Sequence, residues 1–277
     1  MTDTRGGSRA PGAAPAWREE TARGQRYLFC HALSEMAWLR HAFSFRIDAE
    51  GRELNLALHA GGNAAEALAG RARFLAGLGL EPGALVAGEQ VHGTGVALVG
   101  AAERGAGALA RETALPATDG LATAVPGLAL AVFHADCAPL LLADPATKSV
   151  AAVHAGWRGA VTGIAAKAVE ALARLGAAPA GLVAAIGPSI GPCCYRVGAE
   201  VTSLVPAEAR DVLIARDGGV HLDLPGLNAW WLRRAGVPGA RIHIVPRCTC
   251  CGTPVFHSYR RDGKGAGRMM AVIARMR

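Results

Sequence analysis

The chain has 277 residues, of which 51% are hydrophobic and 18% are charged, and its net charge is +7. A chain of this length can bury roughly three quarters of its unfolded surface, so it needs no disulfide framework to fold. No apolar run approaches the ~20 residues of a membrane span, and the N-terminus lacks the apolar segment of a secretory signal. We therefore expect a cytoplasmic protein without membrane association.

The positive charge comes almost entirely from scattered arginines, because only Lys148, Lys167 and Lys264 are lysines. Nucleic-acid binding is usually marked by a basic cluster on one face, and single-strand binding also uses aromatic stacking platforms. Aromatic residues make up only 5% of this chain. The sequence therefore predicts that nucleic acid is not a partner.

In chain order, residues 1–26 are rich in Gly, Ala, Pro and Arg, and we predict a disordered tail there, followed by one mixed α/β domain over residues 27–277. Short apolar runs bounded by Gly, Pro or polar residues predict strands at 37–46, 85–92, 95–99, 128–133, 149–153, 182–186, 241–245 and 267–275. The strands at 85–92 and 95–99 are expected to pair as a hairpin. Periodicity and capping residues predict helices at 64–78, 160–175, 198–204 and 221–234.

Three predicted strands lead into residues that can bind a metal or act as a nucleophile, namely His92, Cys137 and His154. They are 45 and 17 residues apart, unlike the close ligand pairs of a zinc finger. Separated strand ends that converge are typical of a catalytic metal site with one open position, and a thiolate with two imidazoles suits zinc or copper. Each residue alone has an ordinary structural interpretation, but the three together, each beside Gly or Pro, favour a site.

The seven cysteines include adjacent pairs and are odd in number, which argues against a disulfide scaffold. Cys248 and Cys251 have C-x-x-C spacing after a predicted strand, and Cys193 or Cys194 would complete a second metal site. Free thiols with a structural role are an equally acceptable interpretation. The chain has nine histidines but no H-x-H pair, so it is not a conventional multicopper oxidase.

Several motifs resemble those of the laccase-domain (YfiH-like) family, described earlier as multicopper polyphenol oxidases and now understood as purine nucleoside phosphorylases with adenosine deaminase activity. The motifs are QVHGTGV at 90–96, HADCAP at 134–139, HAGWRG at 154–159, GPSIGPCCY at 187–195 and SYRRD at 258–262. The resemblance implies one domain with a four-layer fold, in which helices flank two mixed β-sheets. It also implies metal ligands at His92, Cys137 and His154 and an active-site arginine at Arg46.

The implied activity is metal-dependent phosphorolysis of adenosine, inosine and methylthioadenosine, with hydrolytic deamination of adenosine. The partners are then a purine nucleoside and phosphate, the cofactor is zinc or copper, and the chain is a monomer or a homodimer. Beside the ligand Cys137, we expect Asp136 to shuttle protons in catalysis. Arg46 or Arg158 is expected to bind phosphate, because arginine forks match its geometry. Gln90 and Ser258 are expected to contact the substrate.

Three other functions stay open on the sequence. A Cys137–His154 hydrolase or deamidase, acting on a cell-wall or protein substrate, would use the thiol as nucleophile and need no metal. A copper-dependent polyphenol oxidase would hold copper tightly and consume dioxygen. A partner-binding protein of cell division or wall metabolism would retain only a vestigial site.

Overall fold

The computed structural model describes residues 16–60, 62–252 and 255–277. Its strands are β1 (Trp17–Ala22), β2 (Gln25–Cys30), β3 (Leu39–Ser44), β4 (Leu85–Ala87), β5 (Val96–Leu98), β6 (Gly120–Thr123), β7 (Ala129–His134), β8 (Ala138–Ala143), β9 (Val150–Ala155), β10 (Val183–Ile186), β11 (Arg196–Val197), β12 (Leu213–Arg216), β13 (Gly219–Leu222), β14 (Ile242–Ile244) and β15 (Met269–Arg275). Its α-helices are α1 (His31–Ser34), α2 (Ala64–Gly77), α3 (Trp157–Val161), α4 (Ile164–Arg174), α5 (Ala199–Thr202), α6 (Leu224–Arg234) and α7 (Tyr259–Asp262). Short 3-10 turns lie at Pro82–Ala84, Ala101–Glu103, Arg111–Thr113, Pro179–Gly181, Ala207–Val212, Gly239–Arg241 and Gly263–Gly265.

Two six-stranded sheets form the centre of the fold. The first has the strand order β1-β2-β3-β15-β7-β4, and the second has the order β14-β10-β8-β9-β6-β5. Neighbouring strands are antiparallel except at three sheet edges, where β4 pairs with β7, β5 with β6, and β14 with β10 in parallel. A small antiparallel sheet, β11-β13-β12, is built from the segment between β10 and α6.

Side chains alternate along the strands between three apolar cores, because successive residues of a strand face opposite sides of a sheet. In β7, Ala131 faces a core shared with α2, whereas Leu130 and Val132 face the core between the two large sheets. In the second sheet, β8 and β9 share their other face with α4 and α6. The layers are therefore helix, sheet, sheet and helices, which confirms the predicted mixed α/β fold of four layers in one domain.

The helix predicted at 160–175 is divided into two helices in the structure. α3 begins at Trp157, directly after β9, and α4 begins at Ile164. Between them Gly163 has a φ of 86° and lies against the ring of Trp231, a left-handed conformation that costs glycine little and other residues more. The early start of α3 places Trp157 and Arg158 immediately after the end of β9. No helix in the described part of the chain is long and apolar enough to cross a membrane.

The predicted hairpin of 85–92 with 95–99 is wrong, because its strands belong to different sheets. β4 pairs with β7 in the first sheet, and β5 pairs with β6 in the second. The segment 88–95 therefore crosses from one sheet to the other instead of turning back on itself. We call it the crossing segment, and it carries His92.

Three further predictions differ from the structure. The predicted tail over 1–26 is wrong for residues 17–26, where β1 pairs with β2, and residues 1–15 lie outside the described residues. The helix expected from residue 221 begins at Leu224, because β13 extends to Leu222 and the Asp223 carboxylate caps the helix. The central strand β8 was missed, since it contains Pro139, a residue that central strands rarely tolerate.

Leu141 of β8 is fully buried in the core between the two large sheets. We expect Leu141→Ala to lower the free energy of unfolding by about 2–5 kcal/mol, because it leaves a cavity in a packed core. Urea denaturation measures this. The matched control is Leu109→Ala, at a side chain that is 61% exposed, and it should change stability by less than about 0.5 kcal/mol. Equal losses in the two variants would contradict the layered packing.

Candidate metal centre

His92, Cys137 and His154 converge where the crossing segment meets the start of β8 and the end of β9. Their ligand atoms all lie within 4.8 Å of one another. The rings of His92 and His154 have centroids 4.9 Å apart and planes at 80° to each other. The structure thus brings together the three residues that the sequence predicted as ligands.

The buried carboxylate of Asp119 orients two of the three residues. It accepts a hydrogen bond from Nδ1 of His154 at 2.9 Å, which leaves Nε2 of that ring for the centre. It also accepts the backbone N–H groups of Val91, His92 and Gly93 at 3.1, 3.0 and 2.7 Å. One carboxylate therefore fixes both the His154 ring and the backbone of the crossing segment. Metal-binding histidines are commonly oriented by a carboxylate in this way.

His92 has a φ of 62°, a left-handed conformation that is uncommon for a residue other than glycine. The hydrogen bonds from three backbone N–H groups to the Asp119 carboxylate hold this backbone in place. Gly156 makes room for the histidine ring, because a Cβ at Gly156 would lie 2.6 Å from Cδ2 of His92 and 3.1 Å from Sγ of Cys137. The glycine after β9 is thus required by the close approach of two candidate ligands.

The charges of the half-buried Cys137 and the buried His154 stabilise each other. Burial opposes ionisation of the thiol, but the His154 charge and hydrogen bonds from His154 and His92 outweigh it and lower the pKa of Cys137 to about 6. Burial likewise opposes protonation of His154, but Cys137 and Asp119 raise the pKa of its imidazole to about 9. Cys137 is therefore held as a thiolate near neutral pH, which is the form that binds metals and the form that acts as a nucleophile.

The donor set fits a metal ion. One thiolate and two imidazoles are ligands that zinc accepts readily, and three protein ligands leave the fourth position that catalytic zinc sites keep open. His154 is buried, Cys137 is half-buried and His92 is exposed, so the centre has an enclosed side and an accessible one. These three side chains could hold a metal.

The centre opens into a cavity of about 560 Å³. This volume lies within the range of ordinary small-molecule sites. Aromatic and apolar walls come from Phe133, Trp157, Ile190, Tyr195, Leu224 and Tyr259. The polar lining includes His59, Gln90, His134, Asp136, Arg158, Arg260 and Arg268. A larger cavity of about 770 Å³ lies elsewhere, beside Cys193, Cys248 and Cys251, and it contains none of the three converging residues.

Asp136 lines the cavity, but its carboxylate already accepts hydrogen bonds from other residues of the protein. It accepts hydrogen bonds from Oγ1 of Thr249 at 2.6 Å, Oγ of Ser258 at 3.1 Å and the backbone N–H of Arg260 at 2.6 Å. Its backbone has a φ of 82°. These hydrogen bonds hold the start of α7, which carries Arg260, against Asp136, and the proton-shuttle role of Asp136 stays a prediction.

The side chains of Gln90 and Ser258 also form hydrogen bonds within the protein. The amide of Gln90 donates to the carbonyl of Phe133 and accepts its N–H, both at 2.7 Å. The Ser258 hydroxyl is fully buried, donates to Asp136 and accepts the N–H of Arg261, which caps α7. Gln90 lines the cavity and Ser258 does not, and their predicted contacts with substrate stay predictions.

The two predicted arginines occupy different places. Arg46 pairs with Glu53 at 3.0 Å and Asp262 at 3.3 Å and does not line the cavity, so the structure does not bring it to the centre. Arg158 is exposed at the cavity, where its guanidinium lies 4.3 Å from the Trp157 ring centroid. Within the described ranges Arg158 has no carboxylate partner, which leaves its charge available to an anion.

Sequence reasoning missed several residues that shape the site. Asp119 precedes a short strand and was given no role, because its partners come from two other segments that only the fold brings to it. Both ring nitrogens of the buried His134 lack a hydrogen-bond partner in the described part of the chain. Burial lowers the pKa of that ring to about 3, so it is neutral. Arg268 and Tyr195 come from distant segments: Tyr195 ends the GPSIGPCCY motif and Arg268 follows the SYRRD motif, but neither was predicted to line the site.

Replacing Asp119 by asparagine tests its orienting role. The asparagine side chain would present an amide that cannot accept all four hydrogen bonds, so we expect Asp119→Asn to weaken metal binding about 10–100-fold. A chelator-competition titration measures the affinity. Asp144→Asn is the matched control, because Asp144 is an equally buried carboxylate in the β8–β9 turn that accepts from Thr147 instead. Wild-type affinity in the Asp119 variant would refute the orienting role.

The chain is similar in sequence to proteins with two named activities. It is 39% identical over 228 residues to purine nucleoside phosphorylase YlmD of Geobacillus stearothermophilus, covering 80% of this chain and 83% of that protein. It is 35% identical over 227 residues to adenosine deaminase RL5 of an unknown prokaryotic organism, covering 80% of this chain and 87% of that protein.

The fold comparison agrees with the sequence comparison. The crystal structure of YlmD from Geobacillus stearothermophilus superposes with a TM-score of 0.87 at 36% identity, covering 95% of this chain and 99% of that chain. The family described as multi-copper polyphenol oxidoreductase laccase matches residues 40–276. These matches confirm the resemblance seen in the motifs, and the chain belongs to this laccase-like family.

Proposed function

We propose that this chain is a purine nucleoside phosphorylase that also deaminates adenosine, in the cavity beside His92, Cys137 and His154. The observation that carries the proposal is the convergence of these three residues, oriented by Asp119, at the wall of a cavity of nucleoside size. The names of the relatives from Geobacillus stearothermophilus and from the unknown prokaryote support the two reactions.

The cavity walls suit a nucleoside. A purine can stack on aromatic faces, and Phe133, Trp157, Tyr195 and Tyr259 offer such faces. The neutral His134 ring has one donor and one acceptor nitrogen, and the described protein uses neither. We propose that His134 hydrogen-bonds the purine edge, because a buried polar ring without a partner is costly until a ligand satisfies it.

Phosphate binds best to a cation whose N–H donors are not already used by the protein. The Arg158 guanidinium donates no hydrogen bond to any residue that the structure describes, whereas Arg260 donates to the carbonyls of Cys194 and Arg196, and Arg268 donates to those of Ala266 and Gly267. We therefore assign the main phosphate contact to Arg158 and a supporting charge to Arg268. The predicted role of Arg46 in binding phosphate stays a prediction.

His92, Cys137 and His154 would hold the metal, and zinc fits this donor set. Zinc bound there would supply a Lewis acid next to the purine. The protein's own contribution is orientation and charge: Asp119 keeps the proton on Nδ1 of His154, and Cys137 stays a thiolate. Copper also accepts this donor set, and metal analysis of the purified protein distinguishes the two ions.

The same geometry favours a second candidate function. The Cys137 thiolate lies beside the His154 ring, and the Asp119 carboxylate orients that ring from its other side. This is the arrangement of the catalytic groups in a cysteine hydrolase. This enzyme would work without metal and would be inactivated by a single alkylation at Cys137.

The polyphenol oxidase alternative predicts bound copper and dioxygen consumption instead. A partner-binding role predicts that His154→Ala leaves the biological phenotype unchanged.

We place the enzyme in the cytoplasm, since all seven cysteines are free thiols in the structure and reducing compartments keep thiols in this state.

A chromatographic product assay on metal-quantified protein tests the proposed chemistry. With adenosine, adenine and ribose 1-phosphate should form only when phosphate is present, and inosine should form with or without it. Both reactions should fall at least about 100-fold in His154→Ala, which removes a ligand and its orienting pair. His243→Ala, at a half-buried histidine on the edge strand β14, is the matched control. If the metal-replete wild type converts no purine nucleoside, the proposal is wrong.

Substitution of Arg158 tests the phosphate assignment. Arg158→Gln should raise the KM for phosphate about tenfold or more, since charge-assisted hydrogen bonds contribute about 1.5–3 kcal/mol. Deamination uses no phosphate and should fall less. Arg174→Gln, at an exposed arginine that ends α4, is the control and should match the wild type. A phosphate KM that stays at the wild-type value in Arg158→Gln would move the phosphate site elsewhere.

A further inference from the structure

A second cluster of cysteines lies outside the site described above. Cys193 and Cys194 follow β10, and Cys248 and Cys251 follow β14. Their four sulfur atoms all lie within 4.8 Å of one another, and the Sγ atoms of Cys193 and Cys251 are 3.4 Å apart. The four thiols are free in the structure, and none of them lines the cavity of the candidate metal centre.

The spacing of the sulfurs suits one tetrahedral ion. Zinc–sulfur bonds of about 2.3 Å place four tetrahedral thiolates about 3.8 Å apart, and the sulfurs here lie within 4.8 Å of one another, with one pair at 3.4 Å. Thiolate sulfur is soft and selects zinc over the hard cations calcium and magnesium. Two pairs of ligands, one of them with C-x-x-C spacing, are also the usual composition of a structural zinc site.

The backbone around Cys248 is arranged as it is around a metal-bound thiolate. The N–H of Gly191 donates to Sγ of Cys248 at 3.2 Å, and the backbone amides of Cys250 and Cys251 also interact with this sulfur. The turn closes through the N–H of Gly252, which donates to the carbonyl of Cys248 at 3.0 Å. The C-x-x-C turn is therefore already formed around its first sulfur.

Packing alone does not explain the cluster. Cys194, Cys248 and Cys250 contact the core beside α4 and α6, as small apolar side chains do. Cys193 and Cys251 are not part of that core, and Cys251 is exposed, yet their sulfurs turn toward the other two. A thiol that is simply buried does not need three other thiols within 4.8 Å of it.

We propose that Cys193, Cys194, Cys248 and Cys251 form a structural zinc site that joins the two loops after β10 and β14. These strands are parallel neighbours in the second sheet, and the loops already touch through the bridge between Ser189 and Cys248. The ion would fix the two loops to each other beyond the end of the sheet.

The proposed zinc site supports the wall of the nucleoside cavity. Thr249, inside the C-x-x-C turn, donates to Asp136, and Arg261 donates to the carbonyls of Thr249 and Cys250. Arg260, which lines the cavity, donates to the carbonyl of Cys194. Loss of the ion should therefore loosen one wall of the cavity without removing a ligand of the first centre.

Metal counting on tag-free protein purified under reducing conditions tests the proposal. Inductively coupled plasma mass spectrometry should find two metal ions per wild-type chain, and one in Cys251→Ser and in Cys193→Ser. Cys250→Ser is the matched control, because Cys250 lies in the same turn but outside the cluster, and it should keep two. His154→Ala should keep the ion of the cysteine site, so failure of the proposed enzyme function would leave this result unchanged.

Cobalt substitution of the His154→Ala protein gives a second readout that does not depend on a cysteine variant. Four thiolates should produce intense thiolate-to-cobalt absorption and tetrahedral visible bands, and chelation should lower the melting temperature. Two metal ions in both cysteine variants would overturn the proposal. A disulfide between the cluster cysteines in reduced, metal-supplied wild type, detected by mass spectrometry, would also overturn it.

Discussion

The carboxylate of Asp119 is the constraint on which the candidate active site depends. It accepts hydrogen bonds from Nδ1 of His154 on β9 and from three consecutive backbone N–H groups of the crossing segment. It therefore links two segments that sequence alone would not place together. The left-handed backbone of His92 is held by the same group. A buried carboxylate needs such partners. The hydrogen bonds that stabilise Asp119 in the interior are therefore the same ones that fix the geometry of the candidate metal centre.

The four-layer fold explains why that corner exists. The crossing segment passes from the first sheet to the second, and β7, β8 and β9 bring Cys137 and His154 to the same place. Most residues of these strands are apolar and face one of the cores, so few polar side chains are buried within the layers. The residues of the candidate site lie at strand ends and in the segments between sheets, where a cavity can open.

The sequence predicted those parts of the site that are contiguous with an apolar strand. His92, Cys137 and His154 were found because each follows such a run, and the four-layer fold followed from the motif resemblance. Asp119 was not found, since its importance arises only when distant segments meet. The hairpin prediction failed because short apolar runs do not specify which strand they pair with. The break before α4 lies at Gly163, whose left-handed backbone the helical periodicity does not reveal. The C-x-x-C spacing suggested a second metal, but only the fold brings both Cys193 and Cys194 to it.

The trio is compatible with metal-dependent nucleoside chemistry and with a metal-free cysteine nucleophile, because both require a thiolate at Cys137. Adenosine turnover during stepwise return of zinc to metal-depleted protein separates them most directly. Metal-dependent catalysis predicts that depleted protein is inactive and that activity rises with zinc until the centre is filled, with no such recovery in His154→Ala. Full turnover by metal-free protein, abolished by one alkylation at Cys137, would contradict metal-dependent catalysis and establish the nucleophile instead.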